Sequence, residues 1–177
     1  MAGPGGAPTE AVLHDGTVVR FRPIEPADAP LLEDGLARLS ERTRRLRFHS
    51  AVTHLTDAQL RHLVDVDHHD QEALIADLLE DGAYRGVGVA RYARRSPDDD
   101  APEFAIVVED AVQGRGIGRW LLRALFATAR VNGFTRLTAE VLAENDRMLR
   151  LLREESAGLE LSRVAGAYHV ELELPEA

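Results

Sequence analysis

Residues Gln113-Gly114-Arg115-Gly116-Ile117-Gly118 constrain this chain more than any other stretch. They lie between a β-like run, Phe104 to Val108, and a helix-like run from Arg119 onward. A glycine-dense turn that opens a helix leaves several backbone N–H groups free and aimed one way. Glycines also let that backbone approach an anion closely. The first expectation is therefore a strand–turn–helix unit with a phosphate-bearing ligand at the turn; the plain alternative is a helix entry that happens to be glycine-rich. Two familiar phosphate loops are excluded. A Walker A loop ends in Gly-Lys-Ser/Thr, but here Gly116 is followed by Ile117, Gly118 and Arg119. A dinucleotide fingerprint, Gly-x-Gly-x-x-Gly, needs a small residue where Arg119 stands. What remains is Gln-x-x-Gly-x-Gly.

Composition narrows the function classes. At 177 residues, 45% of them hydrophobic, the chain reads as one folded domain with a proper core. Residues 1–15 read as a disordered tail and 16–177 as the domain. Met1 to Thr9 has neither a basic n-region nor an apolar h-region, so it does not read as a signal peptide. No run approaches the roughly 18 apolar residues of a membrane span, and a cytoplasmic protein is expected. The absence of cysteine excludes disulfides, thiolate metal sites and cysteine nucleophiles. A net charge of -9 argues against a nucleic-acid surface and suits basic partners such as lysine-bearing proteins or amines. Lysine is absent, so every basic residue other than histidine is arginine.

Periodicity supplies the order of elements. Thr17 to Arg22 alternates as a first strand. Asp28 reads as the N-cap of a helix carrying Leu31, Leu32, Leu36 and Leu39, and Thr56-Asp57 caps a second helix with Leu60, Leu63 and Val64. Ser40 to Ser50 is an arginine-rich run, whose Arg42, Arg44, Arg45 and Arg47 read as a solvated face or, alternatively, as a surface for an acidic partner. Ala73–Leu79 and Arg85–Arg94 form a hairpin across Glu80-Asp81-Gly82, and Glu103–Val108 follows a second acidic turn. Leu121, Leu122, Leu125, Phe126 and Ala129 mark the helix after the glycine turn, which stops near Asn132-Gly133. Arg136–Leu142, a short helix from Asn145 to Glu155, Glu160–Val164 and Tyr168–Leu174 complete the series. A helix between consecutive strands predicts one right-handed parallel crossover in the sheet.

The turn Gln113 to Gly118 resembles the acetyl-coenzyme A turn of the GNAT acetyltransferases, Arg/Gln-x-x-Gly-x-Gly/Ala. The order of elements is similar to theirs over about Val19 to Leu174. The resemblance implies a GNAT fold: a mixed, mostly antiparallel α/β sheet of seven strands with about four flanking helices. Further matches resemble the bacterial Pat-type protein lysine acetyltransferases. They are Arg22-Pro23-Ile24 with Asp28, Leu39 to Phe48, Leu55-Thr56, Val66-Asp67, Glu72 to Ala76, Glu103-Phe104-Ala105-Ile106-Val107-Val108, and Val141 to Leu149. The implied activity is acetyl transfer from acetyl-CoA to an amine, most simply a protein lysine.

The resemblance also implies roles. Glu103 falls where the subgroup places its general base, a carboxylate that takes the proton of the attacking amine. Ile106, Val107 and Val108 would offer backbone N–H groups to the thioester oxygen. The pyrophosphate would meet the N–H groups of Gln113, Gly114, Arg115, Gly116, Ile117, Gly118 and Arg119, with the Arg115 and Arg119 side chains either as phosphate partners or as ordinary members of a solvated helix face. Asn145 would contact the pantetheine arm, or serve as an ordinary N-cap. Two positions depart from the family. Leu152 stands where many members carry a tyrosine that protonates the leaving thiolate, a residue the Pat-type subgroup also commonly lacks. Arg153 to Leu159 replaces a shorter Lys-Leu-Gly-Phe ending, on the acceptor side. Adjacent histidines in the polar turn Asp65 to Asp70 rarely share an ion, and no metal is expected. The competing readings are a small-molecule amine acetyltransferase on the same fold and a non-catalytic acyl-CoA-binding module.

Overall fold

The computed structural model describes residues 9–50 and 52–175. One sheet of eight strands, ordered β1-β2-β3-β4-β5-β6-β8-β7, runs through the molecule. Its strands are β1 Thr9–Val12, β2 Val18–Pro23, β3 Gln71–Glu80, β4 Ala83–Ala93, β5 Glu103–Val108, β6 Arg136–Leu142, β7 Gly158–Val164 and β8 Ala167–Glu173. Five α-helices flank it: α1 Ala29–Arg38, α2 Glu41–Phe48, α3 Asp57–Val64, α4 Ile117–Val131 and α5 Asp146–Glu155. Neighbouring strands are antiparallel except β5 and β6, which are parallel. The mixed α/β architecture agrees with expectation, with one more strand and one more helix.

The extra strand is β1. Residues 9–12 lie within the expected tail, yet they pair antiparallel with β2, from Thr9↔Phe21 to Val12↔Val18. Of its four residues only Ala11 is buried, so it has too short an apolar pattern to be read from sequence. Residues 1–8 lie outside the described residues.

The extra helix is α2. Its sequence, ERTRRLRF, has no apolar stripe; polar anchoring replaces one. Ser40 Oγ accepts from the Thr43 N–H at 3.1 Å, an ordinary serine N-cap. Asp110, just beyond β5, accepts from Ser40 N–H (2.9 Å), Ser40 Oγ (2.7 Å) and Thr43 Oγ1 (2.7 Å). Burial works against the Asp110 carboxylate, but the Ser40 and Thr43 donors outweigh it and hold its pKa below the usual carboxylate range. The arginine run is therefore a helix tied to the end of β5, not a free charged segment.

Side chains alternate across β5 and divide the interior. Phe104 and Ile106 join the main core under α4, with Leu121, Leu125 and Phe126. Glu103, Ala105 and Val107 face the opposite side by strand alternation. There a smaller core of Ile24, Val64, Ala73 and Ile75 packs with Leu31 and Leu32 of α1. α1 sits so close to β4 that a Cβ on Gly86 would come within 2.5 Å of the Leu31 side chain. Asp28 occupies the N-cap position of α1 but makes no side-chain cap bond. Its carboxylate instead accepts from the Glu25 N–H at 2.7 Å and from both terminal nitrogens of Arg22 at 2.8 Å. Arg22 also reaches Asp77 of β3 (2.8 Å), which Arg20 engages from the same strand (2.7 Å). This ion network ties β2, β3 and the start of α1 together.

Candidate active-site cleft

The two parallel strands part company almost at once. Glu103 and Thr138 are the only register pair between β5 and β6. Beyond them the strands diverge, and a cavity of about 990 Å³ opens between them, at the upper end of the size of small-molecule sites. Strand alternation fixes which backbone groups face it. The Glu109 N–H donates back to Val87 at the β4 side (2.8 Å), while the Pro102 carbonyl accepts from Thr138 on the β6 side (2.9 Å). Even-numbered residues of β5 therefore turn their N–H groups toward the opening. The N–H groups of Ile106 and Val108 turn toward the cleft. That of Val107 points to β4, and Val107 lines the cavity as a wall.

The glycine turn closes one end of this cavity. α4 begins at Ile117, two residues earlier than its apolar spacing suggests, with Gly116 at the N-cap position and φ +95°. Gly114 has φ +85°. Positive φ at both positions is what glycine tolerates at little cost. The Trp120 N–H already donates to the Gly116 carbonyl at 3.1 Å. Ahead of it, the N–H groups from Gly114 to Arg119 have no acceptor among the described residues. The Gln113 N–H is taken by the Asp110 carbonyl (3.3 Å), so the cradle starts one residue later than expected. A Cβ on Gly118 would meet only Val108 and Ile106 side chains, at 3.7 and 4.0 Å. Free, convergent N–H groups at a helix start fit a pyrophosphate.

Charge around the cradle differs from the sequence reading at one arginine. Arg115 turns away: its Nε donates to Asp15 at 2.8 Å, and its Nη2 reaches Thr17 Oγ1. Asp15 is held below the carboxylate range chiefly by hydrogen bonds from Thr17, with Arg115 adding to them. The Arg115 side chain is thus engaged with Asp15 and Thr17, while its backbone N–H remains in the turn. Arg119 does line the cavity and pairs with Glu154 and Glu155 of α5. Arg147, which periodicity alone does not single out, donates to Gln113 Oε1 at 3.1 Å and lies over the turn.

The remaining expected residues come together in the same cavity. Glu103, Gln113, Gly114, Gly116, Ile117, Gly118 and Asn145 all line it. Glu103 carries an ion pair with Arg95, and both side chains are well exposed. An exposed pair of this kind is worth little, so the carboxylate is free to exchange partners. Asn145 caps α5, its Oδ1 accepting from the Met148 N–H at 3.2 Å, which leaves its amide NH₂ toward the cavity lining. Leu152 is fully buried in the main core, and no tyrosine lines the cavity among the described residues. Among those residues no group of three or more His, Asp or Glu side chains converges. His68 instead pairs with buried Glu72 (2.8 Å) and His69 with Asp70 (3.0 Å).

Sequence reasoning missed the wall that α2 provides beside the turn. Thr43, Arg47 and Phe48 of α2 line the cavity, and the lost signal was the helix itself. Burial and nearby Arg91 lower the Arg47 pKa to about 10, against an opposing pull from Glu103.

Comparison with known proteins agrees with this geometry. The profile of the Acetyltransferase (GNAT) family matches residues 37–158. The chain is 35% identical over 136 residues to an acetyltransferase of Pseudomonas aeruginosa, covering 77% of this chain and 73% of that one. It is 32% identical over 146 residues to the acetyltransferase Pat of Mycolicibacterium smegmatis, covering 82% of this chain but 43% of that longer protein. The crystal structure of the GNAT domain of Streptomyces lividans PAT superposes with a TM-score of 0.83 at 29% identity, over 94% of this chain and 97% of that one. Cradle, diverging strands and relatives coincide, and the chain belongs to the GNAT family of acetyltransferases.

Proposed function

We propose that this acetyltransferase modifies a protein lysine side chain, by direct transfer from acetyl-CoA, with Glu103 as general base. Acetyl-CoA supplies the acetyl group as an activated thioester. The N–H groups from Gly114 to Arg119 bind its pyrophosphate, assisted by the charge of Arg119 and Arg147. Asn145 offers its amide to the pantetheine arm while its oxygen caps α5. The N–H groups of Ile106 and Val108 face the oxygen that gains charge during transfer. Glu103 releases Arg95 and takes the proton of the incoming ammonium, directly or through water. The thiol leaves with help from solvent, since Leu152 is core.

One observation carries this reading. Glu103 stands where β5 and β6 begin to part, in the same cavity as the unpaired N–H groups of the turn. The resemblance of its motifs to the Pat-type protein lysine acetyltransferases supports lysine as the acceptor, and relatives named Pat match the chain. The test is incubation of the purified protein with labelled acetyl-CoA and proteins of its own host, followed by mass spectrometry. Lysine acetylation that disappears in Glu103→Gln is the expected result. Thiol release with amine metabolites alone would move the acceptor to small molecules. Coenzyme binding without any transfer would favour a binding module.

A further inference from the structure

A smaller cavity of about 80 Å³ adjoins the cleft on the face of β5 that carries Glu103. Its walls are apolar, from Leu31, Leu32 and Leu36 of α1 and from Val89 and Val107 of the sheet. Along that face of β5 run Glu103, Ala105, Val107 and then Glu109, just past the strand. The Glu109 end is neutral overall: Arg38 (3.3 Å) and Arg85 both hold its carboxylate, and Arg85 also pairs with Glu80 (2.8 Å). The other end is not. Arg91 lies across from Ala105 in the β4–β5 ladder and is only 9% exposed. Arg47 of α2 lines both cavities and is half-buried. Neither guanidinium has a hydrogen-bond or ion-pair partner among the described residues; Arg47 only stacks over the Phe48 ring at 4.8 Å. The nearby Glu103 is engaged by Arg95. Burial depresses the Arg91 pKa, as burial and Arg91 together depress that of Arg47.

Two unpaired cations at an apolar slot are costly in the free protein. A carboxylate that reached them would remove that cost and would match the forked donors of arginine. We propose that Arg47 and Arg91 form an acceptor subsite that binds a carboxylate carried close to the reacting amine. Arg91 stands level with Ala105, two residues along the strand from Glu103, or roughly 7 Å at 3.4 Å per residue. The amine at Glu103 and the carboxylate at the arginines therefore lie over neighbouring positions of one strand face. An acidic residue flanking a target lysine supplies that pairing, and so does an amino acid acting as acceptor with its own carboxylate.

This inference deepens the proposed acceptor reading and rests on Glu103 as the base. It is tested with a library of lysine-centred peptides with randomised flanks, together with free amino acids and their carboxamides. Acetylated products are read by mass spectrometry and KM is measured for the best acceptors. The wild-type protein should enrich Asp or Glu beside the lysine, or prefer amino acids to their amides. In Arg91→Met and Arg47→Met the KM of carboxylate-bearing acceptors should rise about ten- to a hundredfold, the worth of a charged hydrogen bond. For Arg91→Met, whose side chain lies outside the coenzyme cleft, neutral acceptors and coenzyme affinity should change little. Arg91→Lys, which keeps charge without the fork and strains the fold least, should fall between. Lysine peptides acetylated with no acidic preference would overturn the subsite and leave the lysine reading standing. Amino acids acetylated in an Arg91-dependent way, with peptides inert, would keep the subsite and end the protein-lysine reading. Absence of any carboxylate-bearing product would overturn the subsite outright.

Discussion

On the proposed coenzyme side of the cleft the ligand-facing groups are mostly backbone; on the acceptor side they are side chains. The coenzyme side is one continuous stretch, Gly114 to Arg119, with two N–H groups from the adjoining strand. Its donors need no rotamer to be chosen and lose no side-chain entropy on binding. The acceptor side is gathered from Arg47, Arg91 and Glu103, on three different elements. A backbone site must spell itself out locally, because only glycine tolerates its φ values. A side-chain site can be assembled from anywhere that the fold brings together, so it leaves no local word in the sequence. The first kind is suited to a constant ligand and the second to a variable one.

The sharpest way to break this division is Glu103→Gln. Glutamine keeps the shape and cannot take a proton. We expect kcat to fall by about 10²- to 10⁴-fold, the usual worth of a general base, with coenzyme affinity unchanged by calorimetry. A parallel loss of coenzyme binding would show that the two sides are not independent.

Next in size is Asp28→Ala. The Arg22–Asp28–Asp77 network anchors α1, the roof of the acceptor-side slot, and Asp28 is buried. Removing one partner of a buried ion pair costs about 3 kcal/mol, read as a lower urea midpoint, while the turn and its coenzyme affinity should hold. Burial opposes the Asp28 charge, but Arg22 and the Glu25 N–H outweigh it, so its folded pKa is depressed. The contribution is then complete above the unfolded value of about 4 and is lost as pH falls through the lower, folded value. The gap between wild type and variant should accordingly be constant from neutral pH to about 5 and shrink in stronger acid. A gap that persisted unchanged at pH well below the folded value would assign the stability to packing instead.

Much of the fold was legible. β5 and β6 have the bounds their alternation predicts, because each is flanked by turn residues and buries alternate side chains. α4 was legible from its spacing of leucines, and its true start lay in the glycines. α2 was not, since its order comes from Ser40, Thr43 and a distant Asp110, not from an apolar period. The placement of the Arg115 side chain was not legible for a related reason: Asp15 and Thr17, about a hundred residues away in sequence, claim it. Nor was the direction of the Val107 N–H, which strand parity sets and one hydrogen bond of Glu109 decides.

Gly118→Ala probes the coenzyme side alone. The new methyl meets only ordinary contacts inside the protein, and alanine in a helix is favoured over glycine by about 1 kcal/mol. Stability should hold or rise. If coenzyme approaches the backbone here, its dissociation constant should increase about tenfold, the loss of roughly one charged hydrogen bond. Unaltered binding would remove Gly118 from the cradle.

The smallest effect is the most discriminating, because Asn145 belongs to both sides of the ledger of structure and ligand. Its Oδ1 caps α5, and its NH₂ is the group assigned to the pantetheine arm. Asn145→Ala loses both functions. It should cost about 1 kcal/mol of stability as a lost N-cap and also weaken coenzyme binding, which leaves the two roles entangled. Asn145→Asp separates them. Aspartate caps as well as asparagine does and adds favourable charge at a helix start, so the thermal midpoint should stay level or rise. It has no NH₂ to donate, so coenzyme affinity should fall by the same few-fold as in the alanine variant. Equal affinity for wild type and Asn145→Asp would make Asn145 a cap alone, and the coenzyme side would then be backbone throughout.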